Sequence, residues 1–428
     1  MRTVRVGLIG LGTVGGGVVD ILNKHRNDFR HRAGVDLELA RVADRNEDRF
    51  ASLGLDPSIC TTDAFEVVGD SSLDVIIELI GGTGIARDVV LGALDAGRSV
   101  VTANKALMAT SGQEIFDLAE ERGVDIRFEA SVGGGIPIIG PLKHSLIGNE
   151  IQSVMGIVNG TTNYMLTRMT EHGLDYDTAL AEAQSLGYAE ADPTADVDGH
   201  DAAAKAAILA SIAFNSRVTL GQVPAEGIRS LAPSDIEYAR EIGYTVKLLA
   251  IARRTDSGID IRVHPTMIRS SHPLAAVNGV YNAIYVVGDA VGETMFFGEG
   301  AGAGAAASAV VGDLIEVARS LDTGSGVVRC TCVDDLPVRA LDDLETRYYI
   351  RMSVADEAGV LAATATAFAT AGVSIESMLQ RAACGDGTAE LVYVTHRCRE
   401  SAVHAALAAC EANPAVLDIS ALIRVEDI

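Results

Sequence analysis

The sequence predicts an α/β protein with a doubly wound parallel sheet at the N-terminus and a ferredoxin-like module at the C-terminus. Three observations support this. A glycine-rich turn follows the first short apolar run, and strand-like and helix-like stretches then alternate to about residue 129. From residue 346 onward the order strand, helix, strand, strand, helix, strand reads as a βαββαβ unit. The first alternation favours parallel strands joined by right-handed crossovers.

The N-terminal elements are predicted from apolar runs and from the turns between them. The strands are expected at residues 4–9, 35–43, 75–79, 99–102 and 125–129. The helices are expected at residues 16–30, 88–96 and 113–122.

The glycine-rich turn indicates a Rossmann-type dinucleotide-binding domain, which we place at residues 1–130. Its residues Gly10, Gly12, Thr13, Val14 and Gly15 form the pattern GxGxxG between a strand and a helix. The missing side chains let a pyrophosphate approach N–H groups at the positive end of the helix. The alternative is a structural glycine turn in another α/β fold.

The second strand ends in Asp44-Arg45, and this pair leaves the cofactor open between NAD and NADP. An acid at this point bonds the ribose hydroxyls of NAD, whereas an arginine favours the 2′-phosphate of NADP. A structural salt bridge between Arg45 and Asp48 is an equally good interpretation of the arginine.

Composition excludes several classes of protein. The net charge of −24 argues against nucleic acid and anionic membranes as partners. No apolar span is long enough to cross a bilayer, and the N-terminus does not read as a signal peptide. The six cysteines form no CxxC pair, so we expect neither a disulfide framework nor a zinc site, and we expect a cytoplasmic protein.

The segment 187–205 carries five carboxylates upstream of Lys205, in a chain with only five lysines among its 34 basic residues. Asp201 and Lys205 are four residues apart, so on a helix they share one face and are suited to proton transfer. The carboxylates could bind a substrate ammonium group. The alternative is a solvated acidic loop with an ordinary i,i+4 ion pair.

Taken together, six stretches of the chain resemble homoserine dehydrogenases. The stretches are GLIGLGTVGGGV, VTANKALMA, EASVGGGIPII, GIVNGTTNYMLTRM, GYAEADPTADVDGHDAAAK and MFFGEGAGAGAAASAVVGDL. The resemblance implies NADP- or NAD-linked interconversion of L-aspartate 4-semialdehyde and L-homoserine. It also implies an α+β catalytic and dimerisation domain at residues 131–320.

The resemblance assigns roles residue by residue. The implied catalytic residues are Lys205, Asp201 and Lys105, and the implied substrate-binding residues are Glu190, Asp196, Thr161 and Lys105. Cofactor contacts are implied for the glycine turn, Arg45, Asn104, Lys105 and Gly300. A monovalent cation, Na⁺ or K⁺, is implied at main-chain oxygens of Glu129, Val132, Gly134 and Ile136, although a purely conformational role of the glycines there is the alternative. Glu299 replaces the family's usual proline in the turn before Gly300, and we expect its side chain to point away from the cofactor.

The C-terminal residues 346–428 resemble an ACT domain, which we expect after a linker at residues 321–345. The resemblance implies an amino-acid effector, with L-threonine suggested by the pathway, and a homodimer or homotetramer. The turn Asp356-Glu357-Ala358-Gly359 lacks the usual proline. A purely structural role in dimerisation is the alternative. We expect the module to fold separately, so that a chain ending near Asp322 keeps the reaction.

Two other classes of function fit parts of the sequence. The chain could be a non-catalytic sensor of dinucleotides or amino acids, or another amino-acid-linked NAD(P) dehydrogenase. The presence of Lys105 and Lys205 with their acids speaks against a sensor, because sensing needs no proton donor.

Overall fold

The computed structural model of the protein describes residues 2–323, 330–382 and 387–426. Residues 324–329 of the predicted linker and Cys384 therefore lie outside the described residues. None of the described helices is long and apolar enough to cross a membrane. The described cysteines are all free thiols.

Sixteen strands and thirteen α-helices are described in these ranges. The strands are β1 (Thr3–Ile9), β2 (Asp36–Ala43), β3 (Cys60–Thr61), β4 (Val75–Glu78), β5 (Ser99–Thr102), β6 (Ile126–Arg127), β7 (Ile151–Ile157), β8 (Tyr244–Thr255), β9 (Gly258–Arg269), β10 (Tyr281–Gly288), β11 (Gly292–Glu299), β12 (Glu345–Ala355), β13 (Ile375–Ala382), β14 (Thr388–Thr395), β15 (Cys398–Arg399) and β16 (Val416–Glu426). The helices are α1 (Thr13–Asp28), α2 (Asp48–Ser52), α3 (Ala64–Gly69), α4 (Ile85–Asp95), α5 (Lys105–Arg122), α6 (Gly160–His172), α7 (Tyr176–Ser185), α8 (Thr194–Val197), α9 (His200–Ala213), α10 (Pro233–Glu241), α11 (Ala303–Thr323), α12 (Val360–Thr370) and α13 (Glu400–Glu411).

The chain divides into two units. The first contains residues 1–154, 204–222 and 282–336, and the second contains residues 155–203, 223–281 and 337–428. Each unit is described by itself below.

The first unit contains the predicted parallel sheet. Its six strands lie in the order β3-β2-β1-β4-β5-β6, and every pairing is parallel. The central strands are apolar on both faces because helices cover both sides of such a sheet. Helix α11 packs closely on α1, since a Cβ on Gly17 would lie 2.6 Å from the carbonyl oxygen of Ala303. The doubly wound fold predicted for the N-terminus is confirmed.

The second unit contains a mixed sheet in the order β8-β9-β16-β12-β14-β13. Strands β8 and β9 form a long antiparallel hairpin that closes at Thr255 and Gly258. The last four strands, with α12 and α13, form the predicted βαββαβ module with antiparallel neighbours. Its core includes Tyr348, Phe368 and Tyr393, all fully buried.

The C-terminal module has its own core, but its sheet is continuous with that of the preceding residues. Strand β16 pairs in parallel with β9, so the module continues the sheet of the preceding domain. Residues of the predicted linker also lie on β9, because the N–H of Ile259 donates to Pro337 at 2.8 Å and that of Arg339 donates to Ile259 at 2.9 Å. These contacts join segments far apart in the sequence, and separate folding of the module stays a prediction. A chain ending near Asp322 would therefore expose one edge of β9.

Candidate active site

The glycine-rich turn between β1 and α1 leaves room for a ligand on its open side. Gly10 has φ +100°, and a Cβ there would lie 2.6 Å from a neighbouring carbonyl oxygen. A Cβ on Gly15 would lie 2.0 Å from the carbonyl oxygen of Gly10, so both positions require glycine. At Gly12, no atom lies within 4 Å of the Cβ position. The first N–H groups of α1, at Thr13 and Val14, can therefore receive a pyrophosphate.

The turn opens into a cleft of about 550 Å³ that also contains Asp44 and Arg45. The Asp44 carboxylate accepts N–H groups from Leu11 at 2.5 Å and from Asn46 at 2.8 Å. Arg45 is exposed and makes no ion pair within the described ranges, so the salt bridge to Asp48 that we held open is not formed. An acid and an unpaired guanidinium thus both line the cleft.

Lys105 is the first residue of α5 and directly follows the carboxyl end of β5. We expected this helix over residues 113–122, but it begins at Lys105. The cause is Asn104, whose Oδ1 accepts the N–H of Leu107 at 3.1 Å while its Nδ2 donates to the carbonyl of Gly82 at 2.7 Å. Lys105 is therefore held on a capped helix at the edge of the sheet where ligands bind in doubly wound folds.

Glu129 uses its carboxylate to shape the loop that follows it. Oε1 accepts the N–H groups of Ile138 at 2.5 Å and Ile139 at 2.7 Å, and Oε2 accepts that of Gly140 at 2.6 Å. The N–H of Glu129 donates to buried Asp313 at 2.7 Å. Burial raises the pKa of Asp313 to about 8, and the charge of Glu129 adds to the rise. The side chain of Glu129 is thus committed to protein donors.

Of the four carbonyl oxygens of the predicted cation site, that of Glu129 accepts the N–H of Val132 at 3.4 Å, and the other three are available. Val132, Gly134 and Ile136 are buried, and within the described parts of the chain their carbonyls accept no hydrogen bond. Buried carbonyl oxygens normally have a partner, which suits a cation or water. No group of three or more His, Cys, Asp or Glu side chains that could hold a metal ion is found among the described residues. A cation here would therefore rely on main-chain oxygens, and it stays a prediction.

The turn after β11 packs against this glycine run. The N–H of Gly135 donates to the carbonyl of Glu299 at 3.1 Å, and a Cβ on Gly134 would lie 2.3 Å from the carbonyl oxygen of Gly300. A Cβ on Gly300 would lie 2.0 Å from Nδ2 of Asn282. The side chain of Glu299 is exposed. Close packing therefore requires glycine at position 300, and its contact with the cofactor stays a prediction.

In the second unit, Asn159 brings two of the predicted carboxylates together. Its Nδ2 group donates to Asp196 at 2.7 Å and to Asp201 at 2.9 Å. Its Oδ1 caps α6 by accepting the N–H of Thr162 at 2.9 Å. Because the cap fixes the amide, the two carboxylates are held at defined positions.

The other residues of the acidic segment have different environments. The hydroxyl of Thr161 donates a hydrogen bond to the carbonyl of Tyr188 at 2.6 Å, so this buried side chain supports the start of the acidic segment. Glu190 is exposed, and no hydrogen bond or ion pair reaches its carboxylate in the described ranges. Hydrogen bonds from the hydroxyl and the N–H of Thr194, the latter at 3.1 Å, lower the pKa of Asp192. Asp198 pairs with Arg229 at 2.5 Å. Asp192 and Asp198 are structural.

Helix α9 carries both Asp201 and Lys205, one turn apart as predicted. Lys205 is 9% exposed, and alanines occupy the three positions before it and the two after it. A lysine buried to this extent requires a specific polar environment. The helical placement of the pair is thus as expected, and the catalytic assignment stays a prediction.

Sequence reasoning gave two residues no role of their own. Asn159 lies in a stretch that was assigned to the substrate pocket, but only Thr161 was singled out there, although an Asn between a strand and a helix start is a recognisable cap signal. Asn282 is 1% exposed, and neither atom of its amide group has a hydrogen-bond partner in the described structure. Nothing in the strand pattern around Asn282 distinguished it.

Three family models match the chain. The model described as homoserine dehydrogenase matches residues 137–315, its NAD-binding domain matches residues 10–129, and the ACT domain matches residues 348–414. Curated homoserine dehydrogenases are similar along the whole chain. Those of Corynebacterium glutamicum and Synechocystis are each 46% identical, covering 99% of this chain and 96% and 99% of the relatives.

Solved structures agree with these matches. A homoserine dehydrogenase from Thiobacillus denitrificans superposes with a TM-score of 0.95 at 42% identity, covering 100% of this chain and 99% of that chain. A hyperthermophilic archaeal homoserine dehydrogenase in complex with NADPH has a TM-score of 0.64 at 30% identity, covering 74% of this chain and 98% of that chain. The chain therefore belongs to the homoserine dehydrogenase family, as an NAD(P)-linked oxidoreductase of CH–OH groups with a C-terminal ACT domain.

Proposed function

We propose that the chain interconverts L-aspartate 4-semialdehyde and L-homoserine, with Lys205 handling the proton at the substrate oxygen. The observation that carries this assignment is the placement of Lys205 on α9, 9% exposed and one turn after Asp201. Among the described helices, the other lysine that follows a carboxylate by four residues is Lys24 on α1, and both it and Asp20 are exposed. Family membership gives the reaction class, and α9 supplies a proton donor for it.

Reduction of the aldehyde requires a hydride at carbon and a proton at oxygen. The bound nicotinamide supplies the hydride. Lys205 stabilises the negative charge that develops on the substrate oxygen and donates the proton, either directly or through a water. Asp201, one turn before it on the same helix, orients the lysine. Lys105 places a second ammonium group next to either the substrate oxygen or the nicotinamide ribose.

The carboxylates of Asp196 and Glu190 bind the ammonium group of the substrate. Asn159 donates one hydrogen each to Asp196 and Asp201, and within the described residues no donor reaches the second oxygen of Asp196. That oxygen and the carboxylate of Glu190 are available for the substrate ammonium group, which forms strong charge-assisted hydrogen bonds. Thr161 contributes indirectly by holding the segment at Tyr188.

The cofactor is NADP or NAD, because Asp44 suits a free ribose and Arg45 suits a 2′-phosphate. A monovalent cation, Na⁺ or K⁺, is supported by the buried carbonyls of Val132, Gly134 and Ile136. Its role would be to hold the loop before residue 140 in place. Activity measured in choline chloride against KCl and NaCl tests the cation, since no difference among the three salts would contradict it.

The C-terminal module is proposed to receive an amino-acid effector, L-threonine, in a homodimer or homotetramer. Its helix α12 begins after Gly359, which has φ +98° and offers no side-chain cap, so the first N–H groups of the helix are open to a carboxylate. Inhibition by L-threonine and the sedimentation coefficient test these two points separately. The absence of inhibition would leave the module a structural role alone.

The variant Lys205→Met tests the proton donor. Loss of one general acid costs roughly 10²–10⁴-fold in rate, while binding of NADPH, followed by fluorescence, should persist. The matched control is Lys143→Met, because Lys143 is 7% exposed and has no assigned role in the reaction. Wild-type turnover by a folded Lys205→Met variant would contradict the assignment.

A further inference from the structure

The edge of β9 that faces away from β8 pairs with three segments of the second unit, and two of them are neighbours near its C-terminal half. Near its middle, Val263 bridges Ala225 in parallel, and the N–H of Glu226 donates to the carbonyl of Val263 at 2.8 Å. Further along, β9 pairs with β16 of the C-terminal module, where Arg424 lies opposite Thr266. Residues 225–226 and the last strand of the module are therefore neighbours on one edge.

Arg424 joins these two segments. Its guanidinium donates twice to Glu226, at 2.8 Å in both bonds, and its Nε donates to Glu400 at 2.9 Å. Arg424 and Glu400 are 2% and 1% exposed, and Tyr348 donates to the same Glu400 at 2.6 Å. Burial opposes ionisation of Glu400, but the bonds and charge of Arg424 outweigh it and hold the pKa of Glu400 below its usual value. Arg424 is thus fixed by Glu400 within the module and binds Glu226 in a bidentate pair.

The residues after Glu226 lie directly on the acidic segment. The N–H of Ile228 donates to the carbonyl of Val197 at 2.9 Å. A Cβ on Gly227 would lie 2.1 Å from the same carbonyl oxygen, so the two backbones are in contact and any shift of residues 226–228 displaces Val197. Arg229 adds an ion pair to Asp198 at 2.5 Å.

Val197 and Asp198 follow Asp196, which Asn159 holds from the opposite side. The carboxylate of Asp196 therefore has two supports, the amide of Asn159 and the backbone of residues 226–228. Arg424 links this second support to the C-terminal module. Four steps lead from the module to the acid: the ion pair of Arg424 with Glu226, the chain from Glu226 to Ile228, the hydrogen bond of Ile228 to Val197, and the chain from Val197 to Asp196.

We propose that Arg424 of the C-terminal module and its partner Glu226 are positioning residues for substrate binding. Together they hold Asp196 in place. The proposal rests on the proposed function, in which Asp196 binds the substrate ammonium group. In this proposal the module supports substrate binding whether or not an effector is bound. The proposal also gives a physical reason why the module continues the sheet through β9.

The test uses Glu226→Ala in the full chain, because this change breaks the connection and leaves the buried pair of Arg424 and Glu400 intact. The KM for L-homoserine should rise about tenfold while the KM for NADP⁺ stays within about twofold, the pattern of a lost ground-state contact to one substrate only. Glu226→Gln, which keeps one hydrogen bond, should give a smaller rise. Amide hydrogen exchange of residues 194–199 should become faster in Glu226→Ala.

The matched control is Glu241→Ala. Glu241 also pairs with an arginine of the module, Arg381, and its side chain is 39% exposed against 48% for Glu226. In the described structure, no hydrogen bond or ion pair joins Glu241 to residues 197–198. Unchanged KM values and exchange rates are expected for Glu241→Ala. An unchanged KM for homoserine in Glu226→Ala, or an equal rise for both substrates, would overturn the proposal. If the wild type itself does not oxidise homoserine, the proposed function fails first, and the exchange experiment alone then decides whether Glu226 supports the segment.

Discussion

Replacing Arg351 by methionine should destabilise the second unit more than replacing any exposed arginine of the C-terminal module. Arg351 on β12 donates to Asp235 of α10 through Nε at 2.7 Å and Nη2 at 3.2 Å. The two side chains are 9% and 0% exposed, so the change leaves a carboxylate in the interior without its cation. Breaking a buried ion pair by removing one partner costs about 3–5 kcal/mol. Asp235 keeps donors from Tyr349 and from the N–H of Ala232, both at 3.1 Å, which places the expected loss near the lower end, at about 3 kcal/mol.

The control is Arg381→Met, which removes a second arginine of the same module whose partner also lies on α10. That partner, Glu241, is 39% exposed, and Arg381 is 44% exposed. Exposed pairs contribute about 0–1 kcal/mol, and stacking of Arg381 on Tyr238 at 4.7 Å adds little more. The free energy of unfolding from urea titrations, followed by circular dichroism, measures both variants. Equal losses in the two variants would refute the inference that the module is joined to the unit through a buried charge.

Two further predictions concern the first unit. Arg45→Ala should weaken binding of NADP(H) by about 1.5–3 kcal/mol and leave NAD(H) nearly unaffected, because only NADP carries a 2′-phosphate for the unpaired guanidinium. An equal loss of affinity for both cofactors would assign Arg45 no phosphate contact. Burial lowers the pKa of Lys143 to about 8 from 10.5 in the unfolded chain, so the folded state disfavours its charge at neutral pH and regains stability as pH rises from about 8 towards 10.5. Lys143→Met should therefore be more stable than the wild type at pH 7. The expected gain in the free energy of unfolding is about 1.4 kcal/mol for each pH unit between the folded and unfolded pKa values of the lysine. The loss of the contact between the ammonium group and two phenylalanine rings reduces this gain. The difference should shrink in alkaline urea titrations, and a difference independent of pH would contradict this.

Much of the N-terminal fold was predictable because local signals and tertiary context agree there. The strand after Gly97 was placed at residues 99–102 and is observed as Ser99–Thr102. The glycine turn was recognised because each glycine has a distinct backbone requirement. The start of α5 was missed because the cap at Asn104 is followed by small and polar residues without a clear apolar period.

The parts that sequence could not provide are contacts between distant segments. Pairing of β16 with β9 joins residues more than 150 positions apart, and no local pattern encodes it. The same holds for Arg424, whose two carboxylate partners lie in different domains by sequence. The spacing on α9 predicted that Asp201 and Lys205 share one face of the helix. It could not predict that the amide of Asn159, at the start of α6, donates to Asp201, because that contact joins distant segments. The domain boundaries themselves stay predictions.

The most direct measurement is the reduction of NADP⁺ or NAD⁺ by the full-length protein on addition of L-homoserine, followed by the absorbance of the reduced nicotinamide, with L-aspartate, L-threonine and L-alanine tested in parallel. Homoserine should be oxidised far faster than the other three, the product should react as an aldehyde with a carbonyl reagent, and Lys205→Met should lower the rate roughly 10²–10⁴-fold. Turnover of an amino acid without a 4-hydroxyl group, with ammonia as product, would contradict the account. Undiminished oxidation of homoserine by Lys205→Met would leave the reaction but remove its proposed proton donor.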